Sequence, residues 1–278
     1  EDLIVPDYMV DSPITRKNLS VYYSEITYMD SLLGKTIDLI NEADKTENTI
    51  SIFTSEQGYA FPFGKWTCYD LGLKTAFIAK WPGKIKPNTR NKATTQYVDV
   101  IPTLLDALGE DPNKINVGIR DSIGNIGFDG KSFFNAMIGK TQSHRDYTYG
   151  VHTTRGIING SESYPIRSVR SNKYKYIQNL SHNDFFYNVV SAKEKGRPGY
   201  LIYESWLESA KNEEELNWIS HYKKRPFEEL YDLENDPYEK NNLANLSQYS
   251  EIKKALKAKL KSWMKPVSYT HLTLPTTD

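Results

Sequence analysis

A single apolar stripe runs along residues 16–43. Leu19, Tyr22, Ile26, Met29, Leu33, Ile37 and Ile40 recur at spacings of three and four, the period of an amphipathic helix. Thr15 or Asp11 is placed to cap its start, and NEADKTENT supplies polar loop chemistry at its end. Residues 49–55, TISIFTS, follow as a short β-rich segment, apolar at its centre as a buried strand is. A helix followed by such a strand is half of a β-α-β unit and predicts a parallel sheet. TAFIAK, residues 75–80, reads as a second strand stopped by Trp81-Pro82-Gly83. DVIPTLLDAL, residues 99–108, reads as a short helix with Asp99 as its N-cap, Pro102 in the first turn and Gly109 at its end.

The texture changes near residue 140. Residues 164–170 and 174–178 read as a hairpin around Ser171-Asn172-Lys173, and EELYDL at 228–233 as a further strand. Residues 250–264 form a Lys-rich amphipathic helix with Ile252, Leu256, Leu260 and Trp263 on one face. This is α+β patterning and predicts a smaller second domain. The chain is 38% hydrophobic and 13% aromatic over 278 residues, enough for a core. Lys+Arg and Asp+Glu both number 35, so global charge argues neither for nor against an anionic partner, and no nucleic-acid partner is expected. No apolar run is long enough to span a membrane. The one cysteine, Cys68, excludes an internal disulfide and a cysteine-based zinc site, and reads as a small buried hydrophobe.

The chemistry concentrates where the first strand ends. FTSEQG closes on a carboxylate, Glu56, an amide, Gln57, and a glycine that lets the backbone turn or approach a ligand closely. In open α/β sheets ligands sit at the carboxyl ends of strands. A carboxylate oxygen beside an amide oxygen suits calcium or magnesium better than zinc, and Lys65 is placed to bind an anion that such a metal also touches. The same residues also suit a solvated loop with a surface lysine. His152, in GVHTTRG, is a candidate substrate-binding group or a structural histidine. Arg167 and Arg170 match an anionic glycan or local acids equally well. His144, His221 and Glu228–Glu229 read as surface.

In combination these segments resemble the sulfatase family. FTSEQGYAFPFGKWTCYDLGLKTAFIAKWPG is similar to the family strand that ends in Ser-Asp-Asn-Gly or Ser-Asp-His-Gly, followed by Gly-Lys, Tyr-(Asp/Glu)-x-Gly and Trp-Pro-Gly. YYSEITYMDSLLGKTIDLI, YVDVIPTLLDALG, FDGKSFFNAMIGK, YPIRSVRSNKYKYIQNL and FEELYDLENDPYEKNNLA resemble further family segments in order. Phe61-Pro62 and YPIRSVR point within the family to heparan N-sulfatases (sulfamidases).

The resemblance implies an α/β, alkaline-phosphatase-like sandwich with a mostly parallel sheet, of which residues 1–140 are the C-terminal part. Residues 141–266 would be a smaller α+β domain with an antiparallel sheet and a terminal helix. It also implies a Ca²⁺ site to which Glu56 and Gln57 contribute, with Lys65 as the catalytic, sulfate-binding cation. Glu and Gln are each one methylene longer than the family's Asp and Asn. The implied substrate is a sulfated glycan, foremost the N-sulfate of glucosamine in heparan-type chains. An O-sulfatase is the alternative enzyme. A sulfatase-like glycan-binding protein without turnover is the non-enzymatic one. The implied compartment is secreted, periplasmic or lysosome-like.

The family nucleophile, a formylglycine hydrate made within C/S-x-P-S-R, has no counterpart in this chain. It is expected in an upstream region, together with two further Asp ligands, so the chain alone is expected to be inactive. At the other end, VSYTHLTLPT matches one reading frame of a sequencing-library adapter, so residues 267–278 are expected to be a non-native tail. Oligomeric state stays open.

Overall fold

Ser12 and Pro13 decide where the first helix begins. In the computed structural model, which describes residues 3–118, 124, 126–153, 157, 160–191 and 198–265, helix α1 spans Pro13–Glu42. The Ser12 hydroxyl accepts from Thr15 N at 3.1 Å, and Pro13 occupies the first turn, where a missing N–H costs nothing. The cap is therefore neither Thr15 nor Asp11: Asp11 is engaged by Arg16 at 2.7 Å, and buried Thr15 accepts from the Trp206 indole at 2.9 Å. The predicted stripe is fully buried only at its start, with Tyr22, Leu33, Ile37 and Ile40 half-buried. Leu19 is 1% exposed, whereas Ile26 and Met29 are 38% and 42% exposed.

Strand β1 (Ser51–Thr54), helix α2 (Asp70–Leu73) and strand β2 (Phe77–Lys80) follow. β1 and β2 pair antiparallel, Ser51 opposite Lys80 and Thr54 opposite Phe77. The expected mostly parallel sheet is thus not found among the described residues. A parallel pair needs a strand on each side of its crossover helix, and no described residue ahead of α1 lies in a strand. The chain instead returns through the 55–76 loop alongside the strand it has just left.

Helix α3 (Val100–Ala107) starts and stops nearly as expected, with Gly109 at φ +88°. Its N-cap residue is the expected one, in a different role. Asp99 stands at the N-cap position of α3, but its side chain makes no capping bond to that helix; it accepts from Gln96 N at 3.0 Å, Lys131 N at 2.9 Å and Arg145 Nε at 2.7 Å. Helix α4 (Phe134–Met137) leads to a four-stranded antiparallel sheet, β3 (Thr148–His152), β4 (Ile166–Arg170), β5 (Tyr174–Asn179) and β6 (Glu228–Asp232), in the order β3-β4-β5-β6. β4, β5 and β6 match the predicted strands; β3 was not read. Helices α5 (Pro198–Glu208) and α6 (Glu213–His221) lie between β5 and β6, and were not read either. The last helix, α7 (Ser250–Met264), matches its predicted span.

The sheet's alternation sorts two cores. Val169, Tyr176 and Leu230 face α7 through Leu256, Leu260 and Met264. Ile166, Ile177 and Tyr231 face the other way, into a larger cluster with Phe61, Phe63, Cys68, Tyr69, Trp206, Trp218 and Tyr222. That second core fastens the loop after β1 to the sheet. Residues 267–278 lie outside the described residues. No described helix is long and apolar enough to cross a membrane.

Candidate active site

The loop after β1 is a tight backbone knot. Gly58 N donates to Gly72 O at 2.9 Å, and a Cβ at Gly58 would meet Leu71 O at 1.8 Å. This close approach accounts for the glycine. Gly64 N donates to Phe61 O at 3.0 Å, Lys65 N donates to Tyr59 O at 2.8 Å, and the Thr67 hydroxyl donates to Gly64 O at 2.7 Å. Phe63 and Trp66 take left-handed conformations at φ 64° and 69°, uncommon for large side chains. Phe63 is held there by stacking on Trp218, with ring centroids 4.5 Å apart.

The knot brings Glu56, Gln57 and Lys65 together at its rim. Lys65 Nζ lies 3.6 Å from Glu56 Oε2 and 5.4 Å from the centre of the Trp66 ring, and the Gln57 amide donates to Glu56 Oε1 at 3.1 Å. The Glu56 side chain is 79% exposed, so this ion pair is weakly held and open to competition by an incoming anion. Calcium takes about six to eight oxygen ligands. Glu56 and Gln57 offer two side chains, and no group of three or more His, Cys, Asp or Glu among the described residues is arranged to hold a metal. The pair does not make a metal site by itself.

His152 ends β3, and its ring meets Phe186 with centroids 6.1 Å apart. Its backbone carbonyl accepts from Arg167 at 3.3 Å. Burial, then the cations of Arg225 and Arg167, push its pKa down to about 4, so near neutral pH it is an uncharged hydrogen-bonding group. Its Nε2 is buried without a partner. The structure therefore does not add His152 to the Glu56–Lys65 cluster as a cation. Burial raises the Cys68 thiol to about 11, which removes it as a thiolate nucleophile.

Several polar residues read as surface or left open are internal struts. Arg170 pairs with Asp70 at 3.2 Å, and His144 with Asp99 at 3.2 Å. Glu229 is fully buried, and His221, Tyr69 and Asn179 all hydrogen-bond to it. Burial pushes its carboxyl up, but His221, Arg225 and the Tyr231 hydroxyl outweigh that and hold it near 2. Glu228 is part-buried against Lys257 at 2.7 Å. A second strut, unread in the sequence, starts at Asp70 in α2. Buried Lys175 lies 2.5 Å from Asp70 and 3.0 Å from Glu239, while Glu239 accepts from Asp70 N at 2.5 Å. The Tyr-Asp-x-Gly string was its available signal.

The sulfatase family profile matches residues 6–110, the segment that contains the whole knot. An ulvan-active sulfatase of Formosa agariphila is 35% identical over 252 residues, 90% of this chain and 44% of the relative. The chain carries a sulfatase-family domain. Human N-sulphoglucosamine sulphohydrolase is 25% identical over 284 residues, 94% of this chain and 50% of the relative. A protein solved in complex with its substrate D-glucosamine-2-N,6-O-disulfate superposes with a TM-score of 0.60 at 17% identity, over 88% of this chain and 40% of its own. That likeness establishes shared fold. The sulfatase-family chain thus spans half the length, or less, of the relatives it matches.

Proposed function

We propose that this chain is the C-terminal portion of a sulfatase that releases sulfate from a sulfated glycan, with Lys65 as the cation that holds the sulfate. The observation that carries this reading is the Lys65 ammonium set 3.6 Å from an exposed carboxylate, on a backbone knot inside the family-matched segment. A preorganised cation of this kind stabilises charge on the transferring group without reorganising during reaction. Glu56 and Gln57 are proposed to contribute two ligands to a metal site, Ca²⁺ in this reading, completed by residues upstream. The nucleophile, a formylglycine, is proposed to lie upstream as well. Residues 1–140 are then the remainder of the α/β domain, whose further strands pair beyond β1 and β2, and residues 141–266 are the smaller domain. His152, neutral and with an unpartnered Nε2, is proposed to accept from or donate to a sugar hydroxyl.

The finer reading is the N-sulfate of glucosamine in heparan-type chains. It is supported by the Phe61-Pro62 and YPIRSVR segments and by 25% identity to the human N-sulphoglucosamine enzyme. The higher identity, 35%, to an ulvan-active sulfatase favours ulvan as a second substrate. The test is sulfate release by the protein with its upstream coding sequence restored, co-expressed with a formylglycine-generating enzyme. N-sulfoglucosamine, a 6-O-sulfated sugar and ulvan oligosaccharides are offered in parallel. Preferential turnover of N-sulfoglucosamine supports the finer reading. Turnover of ulvan alone keeps the enzyme and replaces the substrate, and no release from any of the three contradicts the sulfatase reading.

A further inference from the structure

Five tyrosines from separate parts of the chain meet beside the Glu56–Lys65 rim. Tyr8 stacks on Tyr59 with centroids 5.9 Å apart and an interplanar angle of 18°, and touches Tyr238 at 5.0 Å. Tyr22 meets Tyr59 at 6.3 Å and Tyr23 at 6.0 Å. Tyr59 is the floor of this patch, and its carbonyl holds Lys65 N at 2.8 Å. Tyr8, Tyr22 and Tyr238 are half-buried, and Tyr23 is 39% exposed, so ring faces remain open to solvent.

The hydroxyls are unusual. The Tyr59 hydroxyl is buried with no hydrogen-bond partner, which is destabilising for a polar group. Native proteins rarely leave such a group without a use. Burial raises the Tyr8 hydroxyl's pKa, followed by the hydroxyls of Tyr23, Tyr238 and Tyr22, so four phenols converge on one spot. Lys240, two residues after Tyr238, donates to the carbonyl of Asp7, the residue before Tyr8, at 2.9 Å. Tyrosine offers an apolar ring and a polar tip. A cluster of them on the same loop as Lys65, whose backbone N donates to Tyr59 O, is complementary to a ligand with flat apolar faces and many hydroxyls that also carries negative charge.

We propose that Tyr8, Tyr22, Tyr59 and Tyr238 form a subsite for the sugar ring adjoining the sulfated unit, on an anionic glycan chain held at Lys65. This inference rests on the sulfated-glycan reading above and specifies how the chain beyond the sulfate is gripped. It predicts that the protein binds oligosaccharides better than monosaccharides.

The test uses the 278-residue chain with heparin-derived and ulvan-derived tetrasaccharides, each in sulfated and desulfated form. Saturation transfer from protein aromatic protons to sugar ring protons is measured first on the unaltered protein. It is expected for at least one tetrasaccharide and to persist, weakened, in its desulfated form. Tyr8→Ala and Tyr238→Ala are expected to weaken that binding about tenfold each, the scale of one lost aromatic contact. Tyr8→Phe should lose less, and Lys65→Ala should affect only the sulfated form. No transfer to any tetrasaccharide overturns the subsite, as does binding unchanged in Tyr8→Ala and Tyr238→Ala proteins with wild-type circular dichroism. Should the alanine variants not fold, the transfer on the unaltered protein and the Tyr8→Phe affinity decide. Concentration-dependent dimerisation abolished by Tyr23→Ala would assign the patch to a second copy and also overturn it. If the completed protein releases no sulfate yet the tyrosine dependence holds, the subsite stands and the enzyme reading falls. Sulfate release with unchanged binding in the tyrosine variants does the reverse.

Discussion

Glu56 and Glu239 are both carboxylates with a lysine nearby, and burial separates their roles. Glu56 is mostly exposed and its pairing with Lys65 is loose, which leaves both groups available to a ligand. Glu239 shares buried Lys175 with Asp70, and one ammonium cannot fully compensate two carboxylates. Burial raises the Glu239 carboxyl from 4.5 to about 7, against the pull of Lys175, whereas the Asp70 carboxyl is lowered, its burial outweighed by Lys175 and Arg170. A raised folded-state pKa means that the folded protein keeps this proton longer than the unfolded chain does. Its stabilising contribution is complete below pH 4.5 and is lost as pH rises through about 7. Glu239→Gln retains an acceptor oxygen for Asp70 N, and it should flatten the decline in melting temperature between about pH 4.5 and 7. An unchanged slope would place that titration elsewhere. Glu229 and His144 show why such struts escape a sequence reading. Each is a polar residue whose partners, Asp99 for His144 and Tyr69 and His221 for Glu229, are brought to it only by tertiary structure.

At the scale of elements, legibility followed locality. The span of α7 was read from Leu256 and Leu260 at helical spacing, and the β4–β5 hairpin from Ser171-Asn172-Lys173, because both signals sit within a few residues. The mostly parallel sheet expected from α1 and β1 is not found among the described residues, where β1 and β2 pair antiparallel. A strand's composition does not encode the path by which the chain returns to it. That Glu56, Gln57 and Lys65 come together was legible in the sequence, but the left-handed Phe63 and Trp66 of the 56–72 knot were not, since neither residue type signals that conformation. Two glycines separate knot from helix. Gly58→Ala should displace the knot, because its Cβ would lie 1.8 Å from Leu71 O, and should lower the melting temperature by several degrees. Gly34→Ala sits within α1 with nothing within 4 Å and should stabilise by about 0.8–1 kcal/mol. Thermal melts of the two variants check the contrast; equal shifts would mean that Gly58 is not held by close approach.

Across the whole molecule, the apolar surface is uneven. Val21, Tyr28, Leu39, Ile78, Ile101 and Leu108 are 58%, 63%, 66%, 62%, 54% and 77% exposed, on α1, on β2 and at the two ends of α3. Such an expanse favours association. The 278-residue chain should therefore bind an apolar dye strongly and self-associate, and restoring the upstream sequence should suppress both. Dye binding undiminished in the completed protein would mean that the added chain does not cover this face. Whether sulfate is held on Lys65 is decided by kcat/KM for sulfate release from the best substrate of the completed protein, with Lys65 and with Lys65→Ala. Loss of one preorganised charge stabiliser predicts a fall of about 10²–10³-fold, with no release by the 278-residue chain alone. Undiminished turnover in Lys65→Ala would contradict the role assigned to this lysine.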